Sequence, residues 1–248
     1  MRHQQNRMDI LSNNMANSDT VGFKKEGATN QAFKDVLAYR IKDATDGWRG
    51  APVGTMNLGV KIGESYTDYS QGAFHATDNT FDLALGGDGF FAIEYTNKAG
   101  QTSTKYTRDG SFTLDVDGDL VTKDGDFVLD TNGKHIRIDP MKQTNIDQQG
   151  NITQGGAILA KIRVVDFEDY NYLEHFGENL YQPVEGFQTK ASNAKVFSGY
   201  LEQSNVTVVS EMVELIAISR AYESNQKVIQ TIDGSLDIAA NQLGKLNG

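Results

Sequence analysis

The chain has 248 residues, is 38% hydrophobic and carries a formal net charge of −10, with 25 glycines, three prolines and no cysteine. That length can bury a sizeable core in one domain or two, the composition is neither collagen-like nor disordered, and the charge argues against a nucleic-acid backbone as partner. The missing cysteines exclude disulfides, zinc–thiolate centres and thiol nucleophiles, no apolar run is long enough for direct membrane insertion, and residues 1–5 lack the apolar core of a cleaved secretory signal.

In chain order, Met1, Gln4, Met8, Leu11 and Met15 repeat a three–four spacing that predicts a short N-terminal helix of roughly 25 Å. The helix ends in Asn13-Asn14-Met15-Ala16-Asn17-Ser18-Asp19, where asparagine and serine side chains compete for backbone hydrogen bonds. Gly22 serves as its stop signal. Phe33, Val36, Leu37 and Ile41 read as a second short amphipathic patch. It leads into the glycine-rich stretch 47–54, a boundary that holds the single tryptophan, Trp48, which is expected to pack on the following domain.

From about Leu58 to Leu201 the apolar period is two. Phe81, Leu83 and Leu85 alternate, as do Phe91, Ile93 and Tyr95, and then Phe112, Leu114 and Val116. Asp109-Gly110, Asp117-Gly118, Asp124-Gly125 and Asn132-Gly133 punctuate the runs, and such dipeptides suit the positive φ of tight hairpins. Ala157 to Phe167 reads as one longer, more deeply buried strand. The middle is therefore expected to be a compact antiparallel β domain.

The tail carries the strongest pattern. Val208, Glu211, Leu215, Ile218, Tyr222, Asn225, Ile229, Ile232, Leu236, Ala239, Leu243 and Leu246 recur three and four residues apart, the period of a coiled-coil seam. The stripe predicts a helix of roughly 58 Å. A kink is expected at Gly234, which costs about 1 kcal/mol relative to alanine in a helix interior. The N-terminal helix is less than half as long, so much of the stripe is left uncovered, and exposed apolar seams mark interaction surfaces.

No catalytic or cofactor constellation emerges. Asp115-Val116-Asp117-Gly118-Asp119 resembles a calcium loop, but its glycine comes fourth and its twelfth residue is Asp126, so a hairpin turn is the reading. Gly86-Gly87-Asp88-Gly89 matches neither a dinucleotide fingerprint nor a P-loop. Asp78 and Asp82 are not placed as a glycosidase pair, and the sequons at Asn151 and Asn205 are too common a pattern to carry weight. His3, His75, His135 and His175 lie too far apart in sequence to form a metal-ligand pair.

Three stretches carry a resemblance. Gln5 to Asn17, continued by Thr20-Val21-Gly22-Phe23-Lys24, is similar to the N-terminal signature of the flagellar basal-body rod and hook family, an Asn-Asn-x-Ala-Asn helix end before a Thr-x-Gly-aromatic-basic turn. Asn79 to Leu85, through Gly89-Phe90-Phe91, together with Tyr106-Thr107-Arg108-Asp109-Gly110-Ser111-Phe112, resembles the family's β-domain motif. Gly199 to Val206, then Glu211-Met212-Val213 and Arg220-Ala221-Tyr222-Glu223, looks like its C-terminal signature.

The resemblance implies an axial structural protein of the flagellar basal body, exported without a cleaved signal, with terminal helices inside a tube and a β domain outside. A rod protein fits better than a hook subunit, which carries an additional outer domain. The family's apolar helical stretch ahead of the position of Met1 is missing here, which accounts for the unequal helices. The expected fold is α+β: a mainly antiparallel β domain over 58–203, between an N-terminal helical segment and linker over 1–57 and a long C-terminal helix over 204–248, the terminal helices forming a coiled-coil-like assembly region. Leu215, Ile218, Tyr222, Ile229, Ile232, Leu236, Leu243, Met8, Leu11 and Met15 are expected in subunit packing, and Asn13, Asn14, Asn17, Thr20, Gly22 and Phe23 in the helix-end turn. The expected partners are copies of the chain and other rod and hook subunits, with no cofactor, metal, nucleic acid or small-molecule substrate, and no enzymatic activity. Two competing classes are a secreted coiled-coil adhesin, or other surface assembly protein, and a β-rich cell-wall hydrolase with a helical tail.

Overall fold

The computed structural model describes residues 1–32, 35–40, 51–56, 59–177 and 179–243. Phe33, Ile41, Trp48 and most of the glycine-rich stretch lie outside them. In chain order the elements are α1 (Arg2–Ala16), β1 (Glu26–Ala32), β2 (Val36–Arg40), β3 (Ala51–Met56), β4 (Val60–Thr67), β5 (Phe74–Ala76), β6 (Leu83–Gly86), β7 (Phe90–Thr96), β8 (Thr102–Thr107) and β9 (Phe112–Leu114). There follow β10 (Leu120–Thr122), β11 (Phe127–Val128), β12 (Thr144–Ile146), β13 (Asn151–Gln154), β14 (Ala157–Lys161), β15 (Val164–Phe167), β16 (Leu173–Phe176), β17 (Leu180–Pro183), β18 (Thr189–Ala191), β19 (Lys195–Ser198), β20 (Tyr200–Glu202) and α2 (Val208–Leu243). The class is α+β, with antiparallel strand pairs throughout the described residues.

Two compact units divide the chain: Met1–Met15, Glu26–Thr67 and Val208–Gly248 form the first, and Ala16–Lys25 and Asp68–Thr207 the second. In the first, α1 and α2 accompany two separate ribbons, β1–β4 and β2–β3. The amphipathic patch around Val36 and Leu37 is thus a strand and not a helix, with Val36 paired to Met56 and Leu37 to Thr55. A short apolar run does not set its own period, and the ladder to β3 decides it.

In the second unit a nine-stranded sheet runs β16-β17-β8-β7-β11-β10-β9, with β15 on the same edge of β7 as β11 and β18 beyond β15. β7 is covered on both faces. Phe91 and Ile93 join one core with Leu83, Leu85, Phe112 and Ile152, while Phe90 and Ala92 join another with Tyr106, Phe167 and Tyr181. Alternation describes only one of those faces. A three-stranded sheet, β12-β13-β14, and the pairs β6–β19 and β5–β20 complete the unit.

Three details differ from the sequence reading. The stretch 157–167 is two strands in two sheets, broken where Lys161 and Arg163 flank Ile162, and its first half is exposed, with Ile158 at 68%. Val116 leaves the alternation and stands fully exposed in the turn between β9 and β10. Gly118, Gly125 and Gly133 take positive φ in their turns, whereas Gly110 does not. Gly110 instead lies against β6, its carbonyl accepting Leu83 N at 3.0 Å, where a Cβ would overlap the Leu83 carbonyl.

Candidate assembly surface and stem junction

In the first unit the helices run antiparallel, because partners rise along α1 as they fall along α2. Asn225 Nδ2 donates to Gln4 Oε1 at 2.9 Å, Arg7 donates to Glu214, and Asn14 Nδ2 donates to Glu211 Oε2 at 3.3 Å. Leu11 and Ile218 are buried, at 6% and 7% exposure, and Met8, Met15, Leu215 and Tyr222 are half-buried. Glu211 is buried in the first turn of α2, where the helix N-terminus favours a negative charge.

The stripe continues beyond this cover. Ile229, Ile232 and Leu236 are 45%, 53% and 61% exposed. α2 runs unbroken through Gly234, so the expected kink is absent. Leu243 is its last helical residue, and the Leu243 side chain, like residues 244–248, lies outside the described part.

The helix-end turn is built from side-chain bonds. Asn14, fully buried, holds both backbone groups of Glu26, accepting from its N at 3.0 Å and donating to its O at 2.8 Å. Asn13, one position earlier, is exposed. In the second unit Thr20 donates its hydroxyl to Asn17 Oδ1 at 3.2 Å and accepts Phe23 N at 3.3 Å. Gly22, at φ +69°, donates its N–H to Glu202 O at 2.8 Å. Phe23 is buried edge-on to His175.

The second unit also holds an ion network that the sequence reading did not single out. Lys24 and Glu202 are both fully buried, with Lys24 Nζ 2.5 Å from Glu202 Oε1 and 2.8 Å from Ser70 O. Arg108, 2% exposed, places Nη1 3.3 Å from Glu202 Oε2, and Gly72 N donates to Glu202 Oε1 at 2.9 Å. Burial holds the Lys24 ammonium below its ordinary range, the opposite charge and hydrogen bond of Glu202 offsetting only part of that. Pairing of β20 with β5 sets Glu202 opposite Phe74 and so beside Gly72. Asn205 adds a clasp, accepting Lys25 N at 2.8 Å and donating to Asp68 O at 2.8 Å.

Each of the three resembling stretches supplies one member of this network: Lys24 the first, Arg108 the second and Glu202 the third. Stretches separated by most of the chain therefore converge on one buried point. That shared membership is the signal by which they can be found, since burial of a charge is not visible in hydropathy. Among the described residues no group of three or more histidine or carboxylate side chains is placed to hold a metal ion.

Comparison with known proteins gives the same three-part match. Residues 1–24 match the family model described as flagella basal body rod protein, residues 84–154 the flagellar hook protein FlgE/F/G D1 domain, and residues 198–243 the flagellar basal body rod FlgEFG protein C-terminal region. The chain is 35% identical to the flagellar basal-body rod protein FlgG of Bacillus subtilis, over 97% of this chain and 95% of that one. It is 34% identical to FlgG of Buchnera aphidicola from Acyrthosiphon pisum, over 94% and 92%. It is 33% identical to the rod protein FlgF of Caulobacter vibrioides, over 97% and 93%. With full-length relatives a third identical and family models matched at both ends and in the middle, the chain belongs to the flagellar basal-body rod protein family.

Proposed function

We propose that this structural rod subunit polymerises through its terminal helices, the uncovered half of α2 packing against neighbouring subunits in the flagellar basal body. The observation that carries the reading is the change along one stripe. Ile218 is 7% exposed where α1 runs alongside, and Leu236 is 61% exposed beyond it. Apolar surface at that spacing gains about 1.5–3 kcal/mol per side chain when a facing helix removes it from water. Head-to-tail contacts between unlike surfaces need not close, so they build an open tube.

On this reading Ile229, Ile232, Leu236 and Leu243 carry contacts between subunits, with Leu215, Tyr222, Met8 and Met15 at the margin. Leu11 and Ile218 fasten α1 to α2. The partners are further copies and other rod and hook subunits. The rod family is structural rather than enzymatic, and no described helix is long and apolar enough to cross a membrane. Export proceeds without a cleaved signal, and the exposed end of α2 gains helical order when a neighbour arrives.

Leu236→Asp tests the proposal, with assembly followed by electron microscopy and sedimentation and the β domain by its melting transition. The variant is expected to lose assembly with the transition unchanged. Tubes of normal length from it would refute the assignment.

A further inference from the structure

α2 exposes a second apolar surface that is not part of the seam. Val209, Met212 and Ile216, separated by three and four residues, are 71%, 50% and 51% exposed. Ile229, Ile232 and Leu236 repeat the same three–four spacing twenty residues later and are exposed to a similar degree. At about 100° and 1.5 Å per residue, twenty residues turn a helix by roughly 200° beyond whole turns and advance it about 30 Å. The two triplets therefore look out from nearly opposite sides of α2, one about 30 Å above the other. α1, with 15 residues against 36, leaves about 32 Å of α2 without an intramolecular partner. The length in need of cover and the offset between the triplets agree.

We infer that the triplets are the two halves of one contact between copies of this chain: Val209, Met212 and Ile216 of one copy receive Ile229, Ile232 and Leu236 of the next. The two α2 helices run parallel with a stagger of about 30 Å. The inference rests on the polymer reading above and adds its register. A repeated screw operation keeps every α2 pointing the same way, so a face cannot pair with itself, which would require a two-fold axis, and must meet a different face of the same chain. Matching three–four spacing sets the side chains of one triplet into the gaps of the other, as in a coiled-coil seam. The later triplet also continues the stripe on which α1 already lies at Glu211 to Tyr222, so the new contact extends an existing helix–helix interface. Neither triplet contains a charged residue to oppose the pairing.

The absence of cysteine makes a direct test available. Full-length Met212→Cys and Ile232→Cys chains are purified singly, mixed, assembled, and linked with a short bismaleimide. The expected result is a covalent dimer at least several-fold more abundant in the assembled mixture than in either variant alone, and similarly favoured over a mixture of Met212→Cys with Ala239→Cys, one heptad away. If a variant does not assemble, Ile216→Cys with Leu236→Cys reads the same register. Tubes that link 212 to 212, 232 to 232 or 212 to 239 more readily overturn the stagger and leave the polymer reading standing. A parent chain that forms no tubes under any condition overturns the polymer reading and the register together.

Discussion

Asn14 holds Glu26 by both of its backbone groups, its Oδ1 accepting from Glu26 N at 3.0 Å and its Nδ2 donating to Glu26 O at 2.8 Å. The same amide nitrogen reaches Glu211 at the start of α2. One fully buried side chain thus ties the end of α1 to β1 and to the other helix. Asn14→Ala removes all three bonds, and each buried group left unsatisfied costs about 1–3 kcal/mol. The expected outcome is a loss of about 2–4 kcal/mol in urea unfolding of the helix pair, with faster exchange of the Glu26 amide. Asn14→Asp is expected to be worse, since it turns a carboxylate toward the Glu26 carbonyl and Glu211. An amide exchange rate at Glu26 unchanged in both variants would show that the contact has no energetic weight.

The Lys24–Glu202–Arg108 network predicts an asymmetry. It holds two cations and one anion, and Arg108 Nε is buried with no hydrogen-bond partner among the described residues. Glu202→Gln strands both cations and costs about 3–5 kcal/mol, the range for breaking a buried pair. Lys24→Met removes the group whose burial is least compensated and leaves Arg108 with Glu202, so its cost is expected to be smaller. Thermal unfolding of the two variants side by side measures the difference, and an equal or reversed order would refute the account.

Asp166 sets an acid limit for the second unit. Burial pushes its carboxyl up, but Tyr170 Oη at 2.8 Å, Lys190 Nζ at 3.0 Å and Phe167 N at 2.8 Å outweigh that and leave it below the ordinary carboxylate value. A depressed native pKa means that the unfolded chain binds the proton first as pH falls. The stabilisation is therefore complete above the ordinary carboxylate range and is lost as pH drops through the native value. Urea unfolding from about pH 6 down to about pH 2 is expected to show a steeper loss for the parent than for Asp166→Asn. Parallel curves would show that other carboxylates set the acid limit.

The sequence makes the helices legible because a three–four stripe over five heptads has no competing reading, and hairpins such as β9–β10 because Asp117-Gly118 supplies the positive φ that the turn requires. It fails where a local pattern is short or serves two faces. Val36 and Leu37 fit a helix as well as a strand until β3 pairs with them, and β7 buries Phe90 as fully as Phe91. The helix-end turn was visible at Asn14 and Gly22. Its buried counterpart was not, because Lys24, Arg108 and Glu202 read individually as solvated charges and acquire their role only when the fold brings distant segments together.

Two glycines predict opposite effects of the same substitution. Gly22 sits at φ +69°, and a Cβ there would lie 2.5 Å from Arg108 C and from Asp109 N, backbone atoms that cannot swing aside. Gly22→Ala adds the left-handed penalty of about 1–2 kcal/mol to that overlap and pulls on the bond from Gly22 N to Glu202 O. It is expected to destabilise the second unit by more than about 2 kcal/mol. Gly234 lies inside α2 with nothing within 4 Å of an added Cβ, so Gly234→Ala removes only the glycine penalty and favours the helix by about 1 kcal/mol. Far-ultraviolet circular dichroism of the unassembled chain is expected to show more helix for Gly234→Ala, and its melting transition a lower midpoint for Gly22→Ala. If Gly234→Ala instead lowered helix content, the exposed half of α2 would have to be bent at that position in solution, and the opposed triplets on either side of it would lose their common axis.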